Sequence, residues 1–469
     1  MKRVLAAFSL LLMVLPILCA QEHTGLVNFN HLRHLTERIE FLGDSVDIVH
    51  VYANYPDYGW VGAAESGLEG VACVDDAGRA AVVYLRHYEL TGSEESRKRA
   101  VSLLKFIVKM ETPDGKFYNF VLQDHSINTG GKTSFKSFGW WGARAVWSMG
   151  LGCRILAPKD SSFAAMLRLG VERTFPNLDS LLAAYGKEKE VRHLRIPGWL
   201  FYESGADATS ELLLGLNNYF AATKDKRVKG YIEKLAGALM AMQEGDLKRF
   251  PYGLHRSWET MWHMWGNGQT QALALSGRIL KDSVMVESAR REAEGWYSRL
   301  LIEGFMKELD VADTTKRIGF EQIAYAVRPM AVGLIRLYEA TNDNRYLTMS
   351  GLAASWLLGN NVLGKPMYDS ANGRCFDGIR DSATLNRNSG AESTIEALAT
   401  LVEVEQLPLA RKYLYYKKVF NRRSSDYIYG LFRNPAGEEL TLAIDLKKPE
   451  LLILEGAKSA EFQEARKHD

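Results

Sequence analysis

Apolar positions recur at helical spacing through most of this chain and change to strict alternation only near its end. A period of 3.6 residues predicts helices over 79–92, 94–111, 139–156, 161–187, 203–223, 226–243, 267–280, 283–304, 321–341, 344–358, 390–404 and 408–420. They fall into six successive pairs. The first helix of most pairs opens at a glycine followed by small residues: Gly78 in DDAGRAA, Gly142 in WWGARA, Gly205 in YESGADA, Gly268 in WGNGQTQA and Gly390 in NRNSGAEST. These starts recur at intervals of roughly 63 residues, and the double interval between Gly268 and Gly390 is filled by a fifth pair around Arg328 in RPMAVG. First helices are rich in Ala, Gly and Leu. Their partners, such as SEESRKRAVSLLKF, carry charge on one face and aliphatic residues on the other. An inner and an outer ring of six helices follow, an all-α (α/α)6 barrel in which six helical hairpins close into a toroid.

Beyond about Ser425 the runs DYIYGLF and ELTLAIDL alternate at period two around the turn NPAGEE. The expected layout is a leader over 1–20, the barrel over 21–424 and a β-rich appendage over 425–469. Because a single hairpin is not stable alone, the appendage should pack on the barrel. The leader is expected from Lys2 and Arg3, the apolar run Val4 to Leu18 and the small Ala20 before Gln21, the layout of a secretory signal peptide. Export to a periplasmic or extracellular space follows as an expectation, with no stable membrane span once the leader is removed.

Composition narrows the chemistry. The formal charge is +2, and losing Lys2 and Arg3 leaves a neutral mature chain with no electrostatic footprint for nucleic acid. Besides Cys19 in the leader, Cys73, Cys153 and Cys375 are too few and too scattered for a disulfide framework, and no His or Cys pair has metal-ligand spacing. No cofactor or metal is expected.

Parallel inner helices would bring their first turns together at one end of the barrel. Delivered there are Asp75 and Asp76, Trp140 and Trp141, Tyr202 and Glu203, Trp265 and Asn267, Glu321 and Tyr325, then Arg387, Asn388 and Glu392. His263 lies near the same entrance, and Asp377 sits in the loop CFDGIRDS. Flat aromatics suit pyranose faces, while carboxylates and amides suit hydroxyl groups. The expected partner is a carbohydrate. Glycosidic cleavage needs one carboxylic acid to protonate the leaving oxygen and one carboxylate to activate water or attack. Asp76, assisted by Asp75, is the expected base, with Asp377 or Glu392 as acid and Glu203 and Glu321 as substitutes. Each has a plain structural alternative: helix capping for Asp76, core packing for Trp140 and Trp141, a turn for Asp377 and a first-turn dipole contact for Glu392.

The runs CVDDAGRAAVVYLRHYELTG, WWGARAVWSMGLG and CFDGIRDSATLNRNSGAESTIEALATL resemble six-hairpin glycosidase-like proteins over roughly 45–420. SWLLGNNVLGKPMYD is similar to the stretch before the last inner helix of family 9 glycoside hydrolases, and Asp76-Ala77-Gly78 to their water-activating motif. That resemblance implies an (α/α)6 fold and a role for Asp76. It does not imply cellulase activity, because Arg79 stands where the motif continues to a second Asp, and no Glu lies around Asp381 and Ser382.

The expected function is an exported glycoside hydrolase acting on a polysaccharide or oligosaccharide. A polysaccharide lyase or uronyl hydrolase is the enzymatic rival, since Arg79, Arg144, Arg328 and Arg387 lie near the entrance and could bind a sugar carboxylate. Sugar epimerases share this barrel but typically use histidine bases, and here only His263, with His255, falls near the funnel. A non-catalytic carbohydrate-binding barrel is the alternative of a different class.

Overall fold

The computed structural model describes residues 25–62 and 69–466, so the expected leader lies outside the described residues. Six inner helices span Val74–Thr91, Trp140–Leu156, Ala206–Thr223, Gln269–Leu280, Val327–Thr341 and Ala391–Val404. Each packs on the next and the last packs on the first, which closes the ring. The approach is tightest between the second and third, where a Cβ on Gly150 would fall 2.3 Å from the Gly215 carbonyl oxygen. Small residues at this crossing let two backbones touch.

The first inner helix starts five residues earlier than its apolar period indicated, so Asp75 and Asp76 stand in its first turn. Cys73 caps it by accepting from the Asp76 amide, and Gly92 ends it in the left-handed region at φ 74°. Ser93 then caps the outer helix Glu94–Met110, whose first-turn Glu94 and Glu95 complement the helix dipole.

Three outer elements differ from the periodic reading. The span 161–187 breaks into Ser161–Arg173 and Phe175–Leu182, because Pro176 cannot donate within a continuing helix but fits the start of a new one. The span 283–304 holds a wider π turn at Ala293–Tyr297 between two α-helical pieces. In 408–420 the helix stops at Tyr413, and Lys417–Arg423 is a strand whose side chains alternate between exposed and half-buried.

That strand opens a four-stranded antiparallel meander with Tyr427–Arg433, Glu439–Asp445 and Glu450–Glu455, larger than the hairpin expected there. Alternation gives it two faces. Ile428, Phe432, Leu440 and Leu442 join the barrel core, while Tyr429 and Ala443 pack under Phe462 of the terminal helix Ala457–Glu464. A second hairpin missed by the helical reading, Thr36–Phe41 with Asp44–Val49, lies against the first outer helix. Its turn residues Leu42 and Gly43 both have positive φ, as a two-residue hairpin turn requires.

Candidate functional site

Inner-helix positions four residues apart face the lumen in successive layers. The upper layer belongs to the first turns. Arg144 donates to Asp75 at 3.1 Å and to the Tyr325 hydroxyl at 2.6 Å, and the guanidinium groups of Arg79, Arg144 and Arg328 lie 5.2, 5.6 and 5.8 Å from the Tyr325 ring centroid. Such stacking on a ring face is favourable for arginine.

One turn lower, an ion-pair layer crosses the barrel. Arg328 donates to Glu396 at 2.6 Å, Gln271 at 2.8 Å and Glu211 at 2.8 Å, so it joins four inner helices. Arg79 reaches Asp76 at 2.5 Å and Glu396 at 3.4 Å. All five charged side chains are buried. Burial alone would raise the Glu211 carboxyl, but Arg328 and Arg144 outweigh it and hold the group below its ordinary range. These charges make the floor of the funnel.

Hairpins five, six and one supply the carboxylate side. Asp377 Oδ1 accepts from the Gly390 amide at 3.0 Å and the Ser393 hydroxyl at 2.6 Å, while Oδ2 has no hydrogen-bond partner among the described residues. Asp377 thus caps the sixth inner helix from a distance with one oxygen and leaves the other available. Burial pushes its carboxyl upward, against the hydrogen bonds from Ser393 and Gly390, and the nearby Glu392 and Glu321 add to the rise. Glu392 is half-exposed, 3.7 Å from Arg79. Glu321 accepts from Asn386 at 3.4 Å. Neither Glu321 nor Asp377 forms an ion pair among the described residues. Tyr52, which sequence reasoning missed, faces Glu392, Asp377 and Asp76, and burial raises its phenol.

Asp75 and Asp76 do arrive together, but with different surroundings. Asp76 is buried between Arg79 and the Cys73 thiol, which stands 3.3 Å from Oδ2, and burial raises its carboxyl against the pull of Arg79. Asp75 is one-fifth exposed and shared between Arg144 and Asn119.

The opposite side is aromatic. His263 and Trp265 stack at 4.6 Å with rings 2° apart, Trp140 lies 6.3 Å from Trp265, and the Tyr202 hydroxyl accepts from the Trp140 amide at 2.9 Å. His263 Nδ1 is buried without a hydrogen-bond partner among the described residues, and burial lowers the imidazole to about 4. Beneath it lies Asp207, another residue absent from the sequence reading, which forms no ion pair among the described residues. Burial lifts its carboxyl to about 7, with the Ala208 amide as the main opposing contact. A Cβ on Gly266 would sit 3.1 Å from His263 Nδ1 and 3.3 Å from Asp207 Oδ2, so glycine there lets the two groups face each other.

Several expected sugar contacts prove to be elsewhere. Trp141 is buried and donates its indole N–H to Phe117 at 2.7 Å, because its position on the helix points into the wall. Asn267 is fully buried, with neither side-chain amide atom hydrogen-bonded among the described residues. Glu203 is three-quarters exposed and pairs with Lys189 at 3.4 Å, away from the acids. Asn388 is structural: its Oδ1 accepts from Tyr55 at 3.1 Å and its carbonyl from Asp377 at 2.8 Å. Arg387 lies over the Tyr55 ring at 5.4 Å, on the outer lip. His255 is buried against Glu292 at 2.7 Å and Ser288 at 2.9 Å, so it leaves His263 as the histidine at the funnel among the described residues.

The sequence matches no protein-family profile and no curated protein. Solved structures do match in fold. A sugar epimerase from a ruminal bacterium superposes with a TM-score of 0.55 at 12% identity, covering 76% of this chain and 92% of that one. The cellobiose 2-epimerase of Bacillus thermoamylovorans B4167 gives 0.54 at 10% identity, covering 80% and 95%. A metagenome-derived family 9 endoglucanase gives 0.48 at 12% identity, covering 81% and 79%. The chain has the six-hairpin (α/α)6 barrel fold.

Proposed function

We propose that the protein is an exported glycoside hydrolase acting on a neutral oligosaccharide or polysaccharide held in the funnel above the ion-pair layer. The supporting observation is the charge balance of the rim. Arg79, Arg144 and Arg328 are committed to Asp75, Asp76, Glu211 and Glu396, while Asp377 and Glu321 have no cationic partner among the described residues. Glu321, free of arginine among the described residues, and the half-exposed Glu392 can stabilise the positive charge that develops on a sugar ring during glycosidic cleavage. Three of the four arginines that a lyase could use on a uronate are taken by these pairs; Arg387, over the Tyr55 ring on the outer lip, is the one left without a carboxylate among the described residues.

Within this reading Asp377 is the general acid, since burial raises its carboxyl and Oδ2 is available to carry the proton. Glu392 is the base, half-exposed where water can reach it. Asp76 acts through Arg79, the guanidinium shared with Glu392, and Asp75 steadies Arg144. Trp140 and Trp265 offer ring faces to the sugar. His263, a weak base because burial lowers it to about 4, and without a second histidine beside it at the funnel among the described residues, supports hydrolysis over histidine-based epimerisation. Incubating residues 21–469 with neutral and uronic oligosaccharides and following the products by proton NMR tests the proposal. New anomeric signals from cleaved neutral substrates are expected; an isomerised sugar of unchanged length, or unsaturated uronic products, would overturn it.

A further inference from the structure

Below the ion-pair layer, on the side away from the proposed catalytic rim, the lumen holds a cavity of about 370 Å³ to which all six inner helices contribute. Its roof is Arg79, Gln271 and Arg328, and its wall is an apolar belt that includes Trp147, Leu214, Leu275, Val332, Ile395 and Val402. A size of this order, an apolar wall and a few convergent polar groups are the usual properties of a small-molecule site. The mouth is charged. Four arginines, Arg86, Arg154, Arg278 and Arg336, meet three glutamates, Glu89, Glu339 and Glu403.

The pairing at that mouth is uneven. Arg86 and Arg336 each bridge two carboxylates, and Arg154 grips both oxygens of Glu89 while its Nε donates to Asn218 at 2.8 Å. Among the described residues Arg278 makes only a 3.0 Å ion pair to Glu339, and it keeps two-fifths of its side chain exposed. The mouth therefore carries one surplus positive charge, on its most accessible guanidinium, directly outside an apolar chamber.

The geometry points to a second ligand site at this end of the barrel, for an amphiphilic monoanion such as an unbranched alkyl carboxylate, its head on Arg278 and its chain in the apolar belt. It is separated from the rim by the Arg79 and Arg328 layer and does not depend on the rim's chemistry. The carboxylate would add charge-assisted hydrogen bonds that a neutral head group cannot supply. Each methylene buried in the belt should tighten binding about fourfold until the chamber is full.

Isothermal titration calorimetry of the full-length mature chain with hexanoate, octanoate and decanoate, each below its micelle-forming concentration, tests the site. Saturable one-to-one binding that tightens along the series is expected, with 1-octanol binding about tenfold more weakly than octanoate. Arg278→Gln should weaken octanoate about tenfold while leaving 1-octanol unchanged. Ala399→Phe, which fills the chamber from the sixth inner helix, should abolish binding of both. Circular dichroism melts confirm that the variants fold. Absence of saturable binding, or binding that neither variant alters, would overturn the proposal.

Discussion

The two ends of the barrel are built from the same residue types and use them differently. At the far end Glu89, Glu339 and Glu403 all sit in arginine pairs, and both oxygens of Glu403 are occupied by Arg86. Burial would raise Glu403, but Arg336 and Arg86 pull it down to about 2, so it is a fixed charge at any physiological pH. At the rim, Asp377 and Asp207 lie half-buried and buried with no ion pair among the described residues, and burial raises both. Arginine pairs hold Glu403 as a fixed strut, whereas carboxyls withdrawn from water without an ion pair are raised towards the range where proton transfer is possible.

The sharpest stability test lies between the ends. Arg328→Met should strand Glu211 in the barrel interior and cost about 3–5 kcal/mol, read as a lower denaturant midpoint. A shift below about 1 kcal/mol would mean that the layer tolerates an unpaired carboxylate.

Next in size is the pH response of the aromatic side. Asp207 has its folded value raised from 3.8 to about 7, so its contribution is present below pH 4 and is lost as pH rises through about 7. His263 has the opposite sign. Its folded value falls from 6.5 to about 4, so its contribution is present above pH 6.5 and is lost as pH falls towards 4. Chemical denaturation between pH 5 and 8 should show wild type losing stability relative to Asp207→Asn as pH increases, by an amount on the order of 2 kcal/mol. His263→Gln should gain on wild type as pH drops from 6.5 to 5. A common pH slope in all three proteins would contradict the buried assignments.

The smallest effect belongs to the far end. Arg154→Ala removes a pair in which both partners are about three-tenths exposed, and its cost should be about 0–1 kcal/mol in the same denaturation assay.

The ring of hairpins was legible because the inner helices repeat the same burden, an apolar stripe with a small-residue start, and the five starts that open at a glycine set an interval that located the remaining one. The outer elements carry less of this constraint, and Pro176, the turn at Ala293–Tyr297 and the strand at Lys417–Arg423 all departed from the periodic reading; on the inner ring the span 321–341 departed too, beginning as the strand Gln322–Ile323 before its helix starts at Val327. At the site, first-turn positions could be assigned, which brought Asp75, Asp76, Trp140, Trp265 and Glu392 to one end. Orientation could not be assigned by adjacency: Trp140 faces the funnel and Trp141 the wall, because neighbours on a helix point about 100° apart. Asp207, Glu211 and Glu396 were missed, although 207 and 211, like 392 and 396, are spaced one turn apart on the lumen face. Applying the lumen stripe as strictly to charged residues as to apolar ones would have found them.

The most direct test of the contrast compares Asp377→Asn, Glu392→Gln and Arg154→Ala on whichever neutral oligosaccharide wild type cleaves. Initial rates of reducing-end release should fall about 10²- to 10⁴-fold in each rim variant, as expected for loss of an acid or base, and stay within about twofold of wild type for Arg154→Ala. Near-wild-type rates in both rim variants would contradict the division of labour between the two ends.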